Sequence, residues 1–195
     1  MSNLTFYRAP MSTASVTELV LEELGIPHET VTVDIRNGGN KKPEYLEINP
    51  NGKVPTIVHD GTTLWESSAI TLYLGETFGV DKKLWPAAGT KRGEAMKWVV
   101  WSNVTFADAI TRRNTKLGEN GQRDMERCLD ILNDGLEGKT FLLGDYSLVD
   151  AHIGSFMGWL RHFQVDLSPW KNVAAWSKRC DERPAAQRLF ARANA

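Results

Sequence analysis

Residues 49 to 70 read NPNGKVPTIVHDGTTLWESSAI, and their turn and strand signals organise the first part of the chain. The runs at 56–59 and 62–65 are short and rich in β-prone residues, and Asp60-Gly61 between them favours the type I′ turn of a hairpin. Because Pro55 cannot donate to a sheet ladder, we expect it at the start or edge of a strand, where it can hold a cis bond. The pattern predicts a loop, a hairpin and the start of a helix.

The two ends of this segment predict the kind of ligand it binds. A cis Pro55 would turn the backbone N–H and C=O of Val54 outward, where they can pair with an extended peptide. Beyond the hairpin, Glu66-Ser67-Ser68 precedes an apolar helix, so backbone N–H groups, a hydroxyl and a carboxylate converge there. Such a helix start binds a carboxylate, and Glu66 can hold an ammonium. These groups favour a ligand with a peptide-like middle and an amino-acid head.

Bulk composition excludes several classes of function. The chain has 195 residues and a net charge of −1, which gives no argument for a nucleic-acid partner or an anionic membrane surface. No apolar run approaches the length of a membrane span, and the first residues lack a signal-peptide pattern. We expect a cytoplasmic protein with no membrane or nucleic-acid partner.

Cysteine and histidine usage predicts neither a disulfide framework nor a metal site. Cys128 and Cys180 are far apart in predicted helices, and we expect free thiols. The histidines lack the spacing of metal ligands; they are His28, His59, His152 and His162. We expect no metal.

The first 79 residues predict a small α/β domain with the element order β-α-β-α-β-β-α. A strand, helix and strand at the beginning form a βαβ unit, whose strands should be parallel. The predicted elements are a strand at 4–7, a helix at 13–24, a strand at 28–35, a helix at 43–48, the hairpin, and a helix at 66–78.

After Gly79 the pattern changes to helices alone. Residues 80–89 predict a linker and residues 90–195 an all-helical domain. We expect Gly118 to Gly121 to break the helices, and Asp150 to answer the N-cap Ser147 as a variant capping box with a structural role. The predicted helices are at 90–115, 123–136, 147–163, 170–181 and 185–193.

Three hydroxyl side chains follow the first strand, on Ser12, Thr13 and Ser15. Their position at a helix N-terminus is typical of simple capping. A hydroxyl there, combined with the positive end of the helix, can instead stabilise the thiolate of a ligand. Position alone does not distinguish the two roles.

Four motifs in this order resemble the cytosolic glutathione transferases, and the resemblance covers essentially the whole chain. They are Ala9-Pro10-Met11-Ser12-Thr13-Ala14-Ser15, Asn49-Pro50-x-Gly52-Lys53-Val54-Pro55, Glu66-Ser67-x-Ala69-Ile70 and Ser147-Leu148-Val149-Asp150-Ala151. The resemblance implies a two-domain fold, with a thioredoxin-like α/β domain over residues 1–79 and an all-α helical bundle over 90–195. It also implies a homodimer that binds glutathione.

The resemblance assigns the predicted peptide site residue by residue. The cis proline of the family matches Pro55, its backbone-pairing residue matches Val54, and its γ-glutamyl-binding pair matches Glu66 and Ser67.

The glycine end of glutathione is met, by resemblance, at residues matching Asn40, Lys41 and Lys53. The same lysines also fit a solvated run of charge.

The resemblance also predicts the reacting end of the site. In plant phi-class enzymes the first serine of the motif activates the thiol, and it matches Ser12. The N-terminal motif is phi-like or bacterial beta/nu-like; in bacterial beta-class enzymes the reactive cysteine would fall on Thr13, and no cysteine lies in this turn. Tyr7 matches the position used by tyrosine-type classes, and Ser15 is a further hydroxyl in reach. The electrophile site is predicted along the long helix and the first turn, at Met11, Trp101, Phe106, Ile110 and Arg113.

The sequence therefore predicts a serine-type glutathione transferase that conjugates glutathione to electrophiles in detoxification, with peroxidase activity as a further reaction. Two alternatives stay open. One is a glutathione- or ligand-binding protein without catalysis, and the other is a family member with isomerase or dehalogenase chemistry.

Overall fold

The structure is a computed structural model that describes residues 3–113 and 118–193. Its first part is a four-stranded mixed sheet with helices, in the predicted order β-α-β-α-β-β-α. The elements are β1 (Leu4–Arg8), α1 (Ala14–Leu24), β2 (Glu29–Thr32), α2 (Pro43–Ile48), β3 (Thr56–His59), β4 (Thr62–Trp65) and α3 (Ser67–Leu74).

The sheet has the strand order β2-β1-β3-β4. Strand β1 pairs in parallel with β2 and antiparallel with β3, which confirms the predicted βαβ unit. Strands β3 and β4 form the predicted hairpin, in which Asp60 and Gly61 have φ angles of 47° and 82°. Two positive φ values in a two-residue turn are those of type I′. The hairpin holds Pro55 at its entrance and Ser67 just beyond its end.

Strand β2 is shorter than the predicted 28–35. It pairs with β1 only over Glu29–Thr32, after which Val33 donates once more to Arg8 O. The side chain of Asp34 then accepts bonds from Asn37 and begins a turn. The alternation of apolar residues therefore continued past the point where the chain leaves the sheet.

The rest of the described chain is helical apart from short connections and bridges. Its helices are α4 (Thr90–Trp101), α5 (Ala107–Arg113), α6 (Gly118–Gly135), α7 (Leu148–His162), α8 (Lys171–Asp181) and α9 (Pro184–Ala193). Helices α4 and α5 are joined by a widened π-type turn at Ser102–Phe106, so the predicted long helix is present with one irregular turn. Its predicted end at Thr115 lies outside the described residues.

The predicted break at Gly118 to Gly121 is wrong, because these residues form the first turn of α6. A Cβ atom on Gly121 would lie 2.6 Å from the backbone of Arg112 and Arg113 on α5. Glycine is therefore used here for the close approach of two helices, a role that its sequence position does not distinguish from that of a helix breaker.

The two domains share one hydrophobic core. Helix α1 packs against α7, and its apolar face, with Val16, Val20 and Leu21, is fully buried. At the edge of this contact the Glu23 carboxylate accepts bonds from Tyr146 Oη at 2.8 Å and from Arg183 Nη2 at 2.7 Å. The domains are therefore held by packing and by a shielded ion pair.

Residues 80–89, the predicted linker, are anchored in this core by Trp85. Its ring is buried, and its Nε1 donates to Glu76 over 2.8 Å.

Asp150 is buried beneath the start of α7 and closes its N-terminus. Its carboxylate accepts bonds from Ser147 N and Oγ, from Leu142 N and from Trp176 Nε1, all at 2.9 to 3.1 Å. Ser147 and Asp150 form the capping box of this helix. Burial raises the pKa of Asp150, and the four donors oppose that shift.

Both cysteines are free and buried, and burial raises the pKa of Cys128 to about 11. Within residues 3–113 and 118–193, none of the helices combines the length and apolar character that crossing a bilayer requires.

Candidate active site

The first turn, between β1 and α1, carries the predicted catalytic hydroxyl. Ser12 Oγ donates to Ala9 O over 2.7 Å and accepts from Ala14 N over 3.3 Å. Ser12 therefore stabilises the start of α1 in this structure, as a capping residue does. The first turn of α1 contains no acidic side chain, so the positive end of its dipole is not neutralised there.

Thr13 connects the first turn to the proline loop. Its Oγ1 lies 3.4 Å from Val54 O, and the Val54–Pro55 bond is cis. No hydrogen bond between described residues engages the Val54 N–H. The predicted catalytic turn and the predicted peptide-pairing edge therefore lie side by side, with a backbone donor available to a ligand.

The other predicted hydroxyls point to different surroundings. Ser15 Oγ accepts a bond from Ser155 Oγ of α7 over 3.2 Å, which uses it in the domain contact. The Tyr7 ring lies 5.9 Å from the Tyr45 ring, on the side of the sheet that carries α2. Thr13 faces the proline loop, and Ser12 and Thr13 both line the cavity described below, whereas Tyr7 and Ser15 do not.

The proline loop is held from beneath by α2. Tyr45 Oη donates to Lys53 O over 2.7 Å and lies 3.0 Å from Thr56 Oγ1, and Asn49 Nδ2 donates to Lys53 O over 2.8 Å. Burial raises the pKa of Tyr45, which keeps its hydroxyl protonated as a donor. These bonds fix the carbonyl that precedes Val54, so the pairing edge is rigid before a ligand arrives.

The helix start beyond the hairpin has the predicted geometry. Glu66 has φ 71° and lies exposed at the N-cap of α3, a left-handed conformation that few non-glycine residues adopt. Ser67 is the first helical residue and is 4% exposed. The pair places a free carboxylate beside a helix N-terminus, a combination suited to an amino-acid head with both charges.

The residues predicted for the glycine end gather around Gly52. Asn40 Nδ2 donates to Gly52 O over 2.6 Å, and a Cβ on Gly52 would lie 2.7 Å from Asn40 O and 3.0 Å from Lys41 Nζ. Lys41 and Lys53 are both exposed. Because Gly52 also has φ 57°, a side chain at this position would push Gly52 away from Asn40 and Lys41. The adjacent Lys53 would move with Gly52, which would change the distance between the two lysines.

A cavity of about 440 Å³ opens beside Ser12, between the first turn and the helices of the second domain. Its walls are mainly apolar and come from the first turn, from α5, and from α7 with the residue that follows it. They are Met11, Ser12, Thr13, Ala107, Ile110, Thr111, Phe156, Trp159 and Phe163. An apolar ligand in this cavity would lie against the Ser12 side chain.

Two of the five residues predicted for the electrophile site line this cavity, namely Met11 and Ile110. Phe106 does not, because it is fully buried and its ring stacks on Trp101 at 5.6 Å beneath the surface. Arg113 Nε donates to Gln122 of α6 over 2.7 Å. Packing decides which residues of the long helix reach the cavity, and a regular 3.6-residue period does not contain that information.

Sequence reasoning missed the contribution of α7 to the cavity. Phe156 and Trp159 lie three residues apart on that helix, and Phe163 follows it. The helix is apolar on nearly all sides, which indicated a central position but not which aromatic residues reach the cleft.

Comparisons with known proteins show the family to which the chain belongs. Family models of the glutathione S-transferase N-terminal domain and C-terminal domain match residues 11–77 and 110–184. The chain is 32% identical over 188 residues to glutathione S-transferase D7 of Drosophila melanogaster, covering 91% of this chain and 84% of that protein. It is 30% identical over 210 residues to the disulfide-bond oxidoreductase YfcG of Escherichia coli, covering 97% and 95%.

Among solved structures, glutathione transferase URE2P6 from Phanerochaete chrysosporium in complex with oxidized glutathione has a TM-score of 0.90 to this chain. The two are 25% identical, and the match covers 98% of this chain and 96% of that one. With both domain models matched and a relative above 30% identity along most of its length, the chain belongs to the glutathione transferase superfamily.

Proposed function

We propose that this protein is a serine-type glutathione transferase that conjugates glutathione to small electrophiles. One observation supports this more than any other: the turn with Ser12 and Thr13 lies beside both the Val54 edge and the apolar cavity. Thr13 Oγ1 lies 3.4 Å from Val54 O, and both Ser12 and Thr13 line the cavity. A tripeptide paired with Val54 would therefore present its central side chain to Ser12 and to a ligand in the cavity.

In this proposal each group of the site has a separate task. The Val54 backbone pairs with the cysteinyl residue, Glu66 and Ser67 bind the γ-glutamyl head, and Lys41 and Lys53 attract the glycine carboxylate. Ser12 donates a hydrogen bond to the sulfur and the N-terminus of α1 adds its positive potential, so the thiolate is favoured over the thiol. The thiolate then attacks an electrophilic carbon in the cavity and forms a C–S bond. Either a leaving group departs from that carbon with its electron pair, or an activated double bond accepts the pair and is then protonated from water.

We further propose a cytoplasmic homodimer, with the domain division 1–79, 80–89 and 90–195, that acts in detoxification. The dimer is what the family resemblance implies, and three exposed apolar side chains on β4 and α4, and just beyond α4, are the candidates for its interface. They are Trp65, Val100 and Val104, the last 69% exposed. Light scattering coupled to size-exclusion chromatography tests the dimer.

The test of the function is a pair of measurements on the purified protein. Calorimetry with glutathione measures binding, and an assay with an activated aryl halide, an α,β-unsaturated carbonyl and an organic hydroperoxide measures turnover. Saturable glutathione binding with conjugation of at least one electrophile is expected. Absence of glutathione binding would contradict the proposal.

A second function is favoured by one specific observation. The Ser12 hydroxyl donates to Ala9 O and accepts from Ala14 N, which is the arrangement of a pure cap. A glutathione-binding protein without useful catalysis would need the Val54 and Ser67 groups but not a free Ser12 proton. Tight binding without turnover across the panel would favour this alternative.

A further inference from the structure

A partly buried chain of hydrogen bonds leads from the helical domain to Ser67 at the start of α3. His152 Nδ1 lies 2.8 Å from Thr71 Oγ1, and His152 Nε2 lies 2.7 Å from Asn103 Oδ1. Asn103 Nδ2 in turn donates to Ser67 Oγ over 2.8 Å. Thr71 and His152 are fully buried. Residues of both domains are thus connected to a hydroxyl of the candidate site.

The bonds of this chain must all run in one direction. Hydroxyl, imidazole and carboxamide groups can each donate and accept, so the four groups taken alone allow two directions. In the first, Thr71 donates to His152 Nδ1, and Nε2–H donates to Asn103 Oδ1. In the second, every bond is reversed and the Thr71 hydroxyl proton needs another acceptor.

The surroundings of Thr71 select the first direction. Among the hydrogen bonds of the described residues, His152 is the sole partner of the Thr71 hydroxyl. Reversal would leave a donor unpaired on a side chain with no exposed surface, which is unfavourable. Thr71 therefore donates, and His152 Nδ1 accepts.

The imidazole passes this direction on to Ser67. Burial lowers the pKa of His152 to about 3, so the ring carries a single proton near neutral pH. A neutral ring that accepts at Nδ1 donates at Nε2, and Asn103 Oδ1 is the acceptor. The carboxamide nitrogen of Asn103 then donates to Ser67 Oγ, which leaves the Ser67 proton free for a ligand.

We propose that this chain fixes Ser67 as a hydrogen-bond donor, and so makes the head-group site prefer a carboxylate over a neutral carboxamide. The inference rests on the proposed function, because it takes the α-carboxylate of the γ-glutamyl head as the group that meets Ser67. Thr71, His152 and Asn103 are positioning residues that act through Ser67. The N-terminus of α3 favours an anion at the same place, so the hydroxyl and the helix act in the same sense.

The direction of the chain is tested in the free protein, without glutathione. The ring-nitrogen chemical shifts of His152, assigned by comparison with a His152→Asn variant, report which nitrogen carries the proton. A proton on Nε2 is expected. A proton on Nδ1 would overturn the inferred direction, whether or not the protein binds glutathione.

The selectivity is tested by calorimetry with two ligands, glutathione and the analogue whose glutamyl α-carboxylate is a carboxamide. The wild type should bind glutathione about ten-fold or more tightly than the analogue, because hydrogen bonds to a charged acceptor are the stronger ones. In Asn103→Asp the side chain keeps its shape, but a carboxylate oxygen replaces the carboxamide nitrogen that donates to Ser67 Oγ. This oxygen accepts the Ser67 proton, so the hydroxyl no longer donates to the ligand and most of the preference for glutathione should be lost. Ser102→Ala, in the same irregular turn but with its hydroxyl buried and bonded to Val99 O, is the control and should keep it.

A second variant guards against loss of folding. Thr71→Val has nearly the same volume and removes the donor that sets the direction, so the preference should fall in the same sense. If Asn103→Asp and Thr71→Val fold and both retain the wild-type preference, the proposal is wrong. If the wild type binds neither ligand, the proposed function fails, while the His152 tautomer still decides the direction of the chain separately.

Discussion

The role of Ser12 in thiol activation is the part of the proposal that a single substitution tests most directly. In the free protein the Ser12 proton is engaged by Ala9 O at 2.7 Å, so it must leave that carbonyl to reach a sulfur. A hydrogen bond to a charged group contributes about 1.5–3 kcal/mol, and a neutral one about 1 kcal/mol. The net gain is therefore about 1 kcal/mol, which lowers the thiol pKa of bound glutathione by roughly one unit.

Ser12→Ala should accordingly raise that pKa by about one unit. At pH values well below the pKa, the thiolate fraction and kcat/KM fall about ten-fold, and the two proteins converge at high pH. The pKa is read from the ultraviolet absorbance of the thiolate in the complex, and kcat/KM from conjugation across the same pH range. Ser12→Thr retains the hydroxyl and should recover most of the loss. Ser15→Ala should have little effect on the thiol, because that hydroxyl is bonded to Ser155.

The same substitution also removes the bond from Ala14 N, which contributes about 1 kcal/mol to stability as a cap does. Urea denaturation of Ser12→Ala measures that loss separately from catalysis. A folded Ser12→Ala protein with an unchanged thiol pKa and unchanged kcat/KM would refute the catalytic role and leave only the cap.

Three further predictions concern stability, and each is measured by urea denaturation. Gly52→Ala should destabilise by about 1–3 kcal/mol, since its Cβ would lie 2.7 Å from a backbone oxygen at φ 57°. Gly138→Ala, at φ 67° with open space around it, should lose only about 1 kcal/mol. His152 is kept neutral by burial, which lowers its pKa to about 3. Below pH ~6.5 the His152 ring binds a second proton in the unfolded chain but not in the folded protein. The free energy of unfolding should therefore fall by up to about 1.4 kcal/mol per pH unit as the pH is lowered, relative to His152→Asn. Arg183→Met should cost about 3 kcal/mol, because the shielded Glu23 carboxylate keeps only one of its two partners; a loss below about 1 kcal/mol would show that the pair is effectively solvated.

The sequence predicted the first domain well because its signals are local. The Asp60-Gly61 dipeptide demands positive φ values that β-strands rarely tolerate, and the structure has them at both residues. Pro55, which cannot donate to a ladder, is at the entrance of the hairpin, and the short helix predicted at 43–48 has those bounds. In each case one residue type has few alternatives, so the pattern is nearly sufficient.

The second domain was harder to predict because its signals depend on neighbours that are distant in sequence. Gly121 looks like a helix breaker until α5 is placed 2.6 Å from where its Cβ would be. Phe106 has the spacing of a cavity residue, but it is fully buried and its ring stacks on Trp101. Trp159 was indistinguishable from the other apolar residues of α7. Which face of a helix remains open is decided by packing, and a period alone does not contain that information.

The predicted head-group site has the same limit, and it shows how the two domains form one functional unit. Glu66 and Ser67 were predicted from a helix start, yet Ser67 Oγ accepts a hydrogen bond from Asn103, which is itself bonded to His152, and both residues belong to the other domain. The cavity beside Ser12 is likewise closed by α5 and α7. The surroundings of Ser67 and of the cavity therefore include residues of both domains. Since α1 also buries its apolar face against α7, separating the domains would expose this face and break the Asn103–Ser67 hydrogen bond at once, so the head-group site and the domain packing are stabilised by the same contacts.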